Sequence, residues 1–136
     1  MSSTNNSNNN TNSTLTFGSF LTQRRKRLEL QMKDFAADLS FTTVYICDIE
    51  KNRRPAPAPI VLEKMCKLLS LYGEDKYLFY DLAANTRNSV SADLKDYIMG
   101  NDVVRLALRK AKELGATEEE WREFLERLYV ERGVIG

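Results

Sequence analysis

The stretch from Gln31 to Arg54, QMKDFAADLSFTTVYICDIEKNRR, constrains the fold of this chain more than any other. Its apolar residues recur at helical spacing in two short runs, one from about Met32 to Leu39 and one over residues 42–50. Only Ser40 and Phe41 separate the runs, so the sequence predicts two short helices joined by a tight turn.

Each predicted helix has an inner and an outer face. Ala36 is small, which lets two helices cross with their backbones close together, so its face is the buried one. Thr42 has the hydroxyl of a good N-cap for the second helix. The inner residues are Phe35, Ala36, Leu39, Ile46 and Ile49, and the outer residues of the second helix are Thr43, Val44, Cys47 and Asp48, with Tyr45 at the edge. A basic loop, residues 51–54, follows, and prolines at positions 55, 57 and 59 keep the helix from continuing.

This pattern resembles the Cro/CI-type (XRE) helix-turn-helix DNA-binding family. The residues that carry the resemblance are Phe35-Ala36-x-x-Leu39, Thr42, Tyr45-Ile46 and Asp48-Ile49-Glu50-Lys51-Asn52-Arg53-Arg54-Pro55. With a preceding helix that contains Phe17, Phe20, Leu21 and Arg25 and a following helix over Ile60–Leu71, it covers about half of the chain.

Two positions depart from the family pattern. Met32 stands where the family often has Gln, with Gln31 one place earlier, and Ser40 replaces the usual turn Gly, so residue 40 either adopts a less extreme backbone angle or carries strain.

The resemblance implies an all-α fold, a lambda-repressor-like domain of about five helices with about three short C-terminal helices. We expect a disordered Ser/Thr/Asn tail over residues 1–15, because such a composition cannot bury enough apolar area to offset the entropy of ordering. The helix-turn-helix domain is expected over 16–86 and a C-terminal helical extension over 87–136. Three amphipathic helices are predicted in the extension, Ala92–Met99, Asp102–Leu114 and Glu118–Val130, with Ser91, Asn101 and Thr117 as their respective N-caps.

Composition excludes several classes of function. The chain has two cysteines and no histidine, so zinc sites of the usual spacing and most histidine-based catalysis are excluded. We therefore expect no enzyme activity, no metal and no cofactor. No apolar run is long enough to span a bilayer and the N-terminus lacks a signal-peptide pattern, so a cytoplasmic protein is expected.

Positive charge is concentrated around the motif. Residues 15–58 carry eight Lys/Arg against five Asp/Glu, whereas residues 59–136 carry twelve against fourteen. The first helix contributes the run from Arg24 to Arg27, and in the family this helix lies near the DNA backbone. Either Arg24 or Arg25 is expected to touch phosphate, and the resemblance also allows one of them to pair with Glu50 instead.

The resemblance implies that the second helix of the motif enters the major groove of double-stranded DNA. Its expected base contacts are Thr43, Val44, Tyr45 and Asp48. The expected phosphate contacts are Arg24, Arg25, Gln31, Lys33, Thr42, Lys51, Asn52, Arg53 and Arg54. Thr43 can hydrogen-bond, Val44 can cover a thymine methyl group, and Asp48 can accept from a cytosine amine.

Two functions remain open from the sequence. The first is a sequence-specific transcriptional regulator, a repressor in preference to an activator, that acts as a homodimer. Its dimer interface is expected on the last helix, at Trp121, Phe124, Leu125 and Leu128, unless this stripe covers the aromatic helix Glu74–Ala84 of the same chain. The second is a protein-interaction module, such as an antitoxin-like protein, built on the same fold with a protein partner.

Overall fold

The computed structural model of the chain describes residues 15–134, which form helices and no strand. In chain order the helices are α1 (Phe17–Arg27), α2 (Met32–Asp38), α3 (Thr43–Glu50), α4 (Pro59–Leu68), α5 (Gly73–Arg87), α6 (Ala92–Met99), α7 (Asp102–Leu114) and α8 (Glu118–Glu131). The predicted all-α fold of five helices followed by three is confirmed. The N-terminal tail is predicted to be disordered, and its residues 1–14 lie outside the described part of the chain.

The chain forms two compact units, one ending at Lys95 and the other beginning at Asp96. This division lies within α6, later than the boundary at residue 86 expected from the sequence. The start of α6 stays with the first unit because Ser91 Oγ donates to Asp81 Oδ1 at 2.7 Å and Ala92 packs against the buried core.

The core of the first unit is built by all of its five complete helices. Phe79 of α5 lies at its centre, with ring centroids 5.3 Å from Phe17 and 5.4 Å from Tyr80. The largest fully buried side chains are Phe35, Phe79, Leu21, Ile46, Ile49, Met65 and Leu69. The inner faces predicted for the two motif helices are therefore buried, since Ala36 and Leu39 join the same core.

The turn between α2 and α3 requires an unusual backbone angle at Ser40. Its φ is +61°, in the left-handed region that glycine adopts at little cost. The sequence left two alternatives for Ser40, a less extreme backbone angle or a strained backbone. The structure has the strained backbone, so the first alternative is wrong. A non-glycine residue there costs about 1–2 kcal/mol.

The second unit contains the end of α6 and all of α7 and α8. Asn101 caps α7, Gly115 ends it at φ +71°, and Thr117 forms a capping box with Glu120 at the start of α8. Arg105 joins α7 to the end of α6, because its guanidinium donates to the carbonyl of Ile98 at 3.0 Å. None of the described residues of this unit, 96–134, is buried.

Over residues 15–134, every helix is too short or too polar to cross a membrane.

Candidate nucleic-acid interface

Helix α3 begins at an exposed N-terminus. The hydroxyl of Thr42 accepts from the amide of Tyr45 at 3.1 Å, which satisfies one of the free amides of the first turn. Thr42 and Thr43 are exposed, and Val44 retains 69% of its accessible surface. The first turn of α3 therefore presents two hydroxyl groups and one branched apolar side chain to solvent.

The inner side of α3 is fixed by apolar packing and by one buried ion pair. Arg25 of α1 donates from Nε to Glu50 Oε2 at 2.7 Å and from Nη2 to Oε1 at 3.1 Å. Its Nη1 donates to the carbonyl of Leu30 at 2.8 Å. The two charged side chains are only 9% and 5% exposed. The hydrogen bond and the charge of Glu50 raise the pKa of Arg25 against the opposing effect of burial, so the pair holds α1 against the end of α3 in its ionised form.

The pairing of Arg25 corrects its assignment as a phosphate contact. Each of the three nitrogens of its guanidinium donates within the fold, and the side chain is only 9% exposed, so Arg25 is not presented to DNA. The alternative drawn from the resemblance, an ion pair with Glu50, is the arrangement in the structure.

Arg24 is also engaged within the first unit. Its Nε donates to the carbonyl of Leu69 at 3.1 Å, its Nη2 to that of Ser70 at 3.2 Å, and its Nη1 lies 3.3 Å from Asp75. Arg24 therefore caps the C-terminal end of α4, where carbonyl groups lack helical partners. Adjacent residues point about 100° apart on a helix, so Arg24 and Arg25 face different neighbours and neither is placed to bind phosphate.

Lys26 of α1 is a basic residue outside the phosphate contacts expected from the sequence. It lines a groove of about 480 Å³ together with Cys47 and Lys51 of the α3 end and Met32 of α2. Lys26 is exposed and is absent from the ion pairs formed among residues 15–134. The sequence indicated such a role only through the basic run 24–27, of which Lys26 is a member. Which member of that run lies beside α3 depends on how α1 is rotated about its axis.

The N-terminus of α2 presents two of the expected phosphate contacts. Gln31 is the N-cap residue, but its side chain makes no capping hydrogen bond and is exposed. Lys33 in the first turn is exposed as well, whereas Met32 is half-buried in the groove. Gln31 is thus free for an outside partner, although it stands one place before the usual family position.

The basic loop is attached to the start of α1 through Asn52. The Oδ1 atom of Asn52 accepts from the amide of Gly18 at 3.1 Å, and Asn52 has a φ of +61°. A Cβ atom on Gly18 would lie 2.4 Å from the carbonyl oxygen of Glu50 and 2.7 Å from Asn52 Oδ1. The close approach of α1 to the end of α3 therefore requires glycine at position 18, which the sequence interpretation did not select. The side-chain oxygen of Asn52 therefore has a structural role, and the phosphate contact expected of this residue would have to come from its Nδ2 group, which is a donor.

Asp48 lies between the two arginines of the basic loop. Its carboxylate oxygens are 3.6 Å from Arg53 Nη1 and 3.6 Å from Arg54 Nε. The guanidinium of Arg54 also lies over the ring of Tyr45, 5.3 Å from its centroid, and that ring packs on Phe41 at 4.6 Å. Both arginine side chains remain more than half exposed, and ion pairs of this kind contribute little in water. Asp48 thus lies next to the guanidinium groups of Arg53 and Arg54, and another anion, such as a phosphate, can replace its carboxylate there.

The residues expected at a dimer interface lie together on α8. Trp121, Phe124 and Leu125 are 40%, 48% and 47% exposed, and Leu128 is half-buried. The rings of Trp121 and Phe124 meet edge to face with centroids 6.0 Å apart. Helix α7 exposes further apolar side chains, Val103, Leu106, Leu108 and Leu114.

Comparison with known proteins adds little to this geometry. No family model and no curated protein matches the sequence. A solved structure titled "SinR protein/SinI protein complex" is similar over 86% of this chain and 98% of that chain, with 19% identity and a TM-score of 0.42. The roles of the residues are therefore assigned from their own geometry.

Proposed function

We propose that this chain is a sequence-specific, double-stranded DNA-binding transcriptional regulator of the Cro/CI (XRE) type, a repressor that acts as a homodimer. The observation that carries the proposal is the contrast between the two sides of α3. Its inner side is fixed by the buried pair of Arg25 and Glu50, whereas its first turn is exposed and followed by the exposed cations of the basic loop.

Helix α3 is proposed to read bases in the major groove. Thr43 would hydrogen-bond a base edge, and Val44 would cover a thymine methyl group. Tyr45 is half-buried against Phe41, so only its outer edge is offered to DNA. Asp48 would accept from a cytosine amine once Arg53 and Arg54 leave its carboxylate for phosphate. Such a helix reads mainly through hydroxyl and methyl contacts.

The contacts to DNA phosphates are assigned to exposed residues around α3. These are Gln31, Lys33, Thr42, Lys51, Arg53 and Arg54, and we add Lys26 because it is exposed and lines the same groove as Lys51. Arg53 and Arg54 already lie 3.6 Å from one anion, the carboxylate of Asp48, and a phosphate group would take its place.

Two copies are needed because one helix reads only a few base pairs. A single half-site cannot compete with the excess of non-specific DNA, whereas a two-fold dimer reads two half-sites about one helical turn apart. The apolar stripe of α8, Trp121, Phe124, Leu125 and Leu128, is proposed as the interface. Its support is the exposure of large apolar side chains in a unit without buried residues.

The same exposure favours a second candidate, a protein-interaction module. In that case α7 and α8 would bind a different protein, as in antitoxin-like proteins, and the helix-turn-helix would serve as a scaffold. The basic loop and Lys26 have no role in this alternative, so DNA binding accounts for more of the observed surface.

Fluorescence anisotropy with the DNA upstream of its own gene tests the proposal. Affinity should fall steeply with salt, with a log–log slope above about four for two protomers, because each phosphate contact contributes roughly 0.9. An Arg53→Ala/Arg54→Ala variant should lower both the affinity and the slope, whereas Lys112→Ala in α7 should change neither. No binding at low salt would instead favour the protein-interaction module.

A further inference from the structure

A cavity of about 280 Å³ lies in the first unit, away from α3. It is formed where the segment 56–59 meets the C-terminal half of α5 and the start of α6. Its apolar lining includes Ala56, Pro57, Leu62, Ala83, Ala84 and Val90. The space exists because alanines occupy several positions where longer apolar side chains would fill it.

Hydrogen bonds fix the walls of this cavity. On one side, the amide of Ala56 donates to Thr86 Oγ1 at 2.8 Å and its carbonyl accepts from Arg87 Nε at 2.8 Å. On the other side, Ser91 Oγ donates to Asp81 Oδ1 at 2.7 Å and holds the segment before α6. The cavity is therefore preformed, as small-molecule sites usually are.

The charged residues in the lining are both cations, Arg87 and Lys95. Arg87 uses Nε to hold Ala56, and within residues 15–134 its terminal nitrogens and Lys95 have no carboxylate partner. The carboxylate of Asp81 is occupied by Ser91 and is not part of the lining. A guanidinium with free terminal donors matches the geometry of a carboxylate, and the lysine adds a second positive charge.

We propose that this cavity binds a small organic carboxylate with a short apolar tail. The carboxylate lies between Arg87 and Lys95, and the tail packs against Leu62 and Ala83. The volume of about 280 Å³ lies just below the range for ligand sites, about 300–1,000 Å³, so the ligand is small and not a nucleotide or a lipid. This binding site does not depend on the proposed function, because none of its residues belongs to the DNA-facing set.

The probe for the test is hexanoate, titrated into the full ¹⁵N-labelled chain and followed by amide chemical shifts. The shifts of Ala56, Ala84 and Ala92 should saturate with a Kd on the order of 1 mM, which is typical for so small a ligand. Hexan-1-ol, which has the same tail without the charge, should bind roughly tenfold more weakly.

Three substitutions test the assignment. Lys95→Gln should weaken hexanoate binding roughly tenfold and leave the fold intact, since within residues 15–134 the backbone amide of Lys95, and not its side chain, makes a hydrogen bond. Ala84→Leu should abolish binding by filling the cavity, and Lys112→Gln in α7 is the matched control that should leave it unchanged. The proposal is overturned if the shifts do not saturate or are scattered over the surface. Equal affinity for hexan-1-ol, or unchanged hexanoate binding by Lys95→Gln, would also overturn it.

Discussion

The amide of Gly18, in the first turn of α1, donates to the side-chain oxygen of Asn52, which directly follows α3 and its cap residue. This contact joins the positive end of one helix dipole to the negative end of another, because the carbonyls of Ile49 and Glu50 face the same glycine. The start of the basic loop is thereby fixed to the core. A substitution at Gly18 therefore tests how strongly this contact holds α1 against the end of α3 and the basic loop.

Gly18→Ala should destabilise the first unit by about 1–3 kcal/mol, because the new methyl group meets backbone oxygens that cannot move freely. Urea denaturation followed by circular dichroism measures the change. Gln23→Ala, an exposed position on the same helix, is the control and should lie within about 0.5 kcal/mol of the parent. Equal stability of Gly18→Ala and the parent would show that α1 can move away from α3 at little cost.

Arg25→Met should destabilise the protein by about 3–5 kcal/mol, because it leaves the carboxylate of Glu50 buried without its partner. The double substitution Arg25→Met/Glu50→Leu should recover most of this loss, since two apolar side chains can fill the same space. Chemical denaturation of the two single variants and the double variant measures the coupling. A double variant as unstable as the sum of the single ones would contradict a direct pair.

Substitutions of base-contacting and of phosphate-contacting residues should affect DNA binding in different ways. Arg54→Ala should weaken specific and random duplexes alike, because phosphate contacts carry no sequence information. Thr43→Ala or Val44→Ala should change the preference among sequences by about 1–3 kcal/mol per base pair at most. Anisotropy titrations against a small set of duplexes measure both effects. If Arg54→Ala changed only the preferred sequence, the proposed placement of α3 would be wrong.

Ser40→Gly should stabilise the first unit by about 1 kcal/mol, because glycine adopts the φ of +61° without the steric cost that serine bears. Thermal denaturation measures the gain. Ala37→Gly is a suitable comparison, since residue 37 is an exposed alanine within α2 and glycine there should destabilise the protein. A destabilising effect of Ser40→Gly would mean that the serine side chain contributes more than the backbone angle costs.

Leu125→Asp should convert the proposed dimer to a monomer without unfolding it, because Leu125 is 47% exposed and lies in a unit without buried residues over 96–134. Sedimentation gives the oligomeric state, and circular dichroism gives the helical content. Arg127→Asp, two residues further and so on another side of α8, is the matched control. A Leu125→Asp protein that loses its helical content would identify the stripe as part of a core instead.

Much of the fold could be predicted from the sequence because its determinants are local. The spacing of Phe35, Ala36 and Leu39 and of Ile46 and Ile49 identified two helices and their buried faces, and both faces are buried in the structure. The caps at Thr42, Asn101 and Thr117 were recognisable because an N-cap acts within three residues of its own helix. The all-α fold and its helix order follow from such short-range patterns.

The partners of charged and polar side chains were decided by tertiary structure alone. Arg25 and Glu50 are 25 residues apart in sequence, Gly18 and Asn52 are 34 apart, and Arg24 and Leu69 are 45 apart. Periodicity assigned Arg24 and Arg25 to one basic cluster, but packing turned one toward α3 and the other toward the end of α4. Which cation is free for a ligand depends on what lies across the helix interface, and a local pattern does not contain that information.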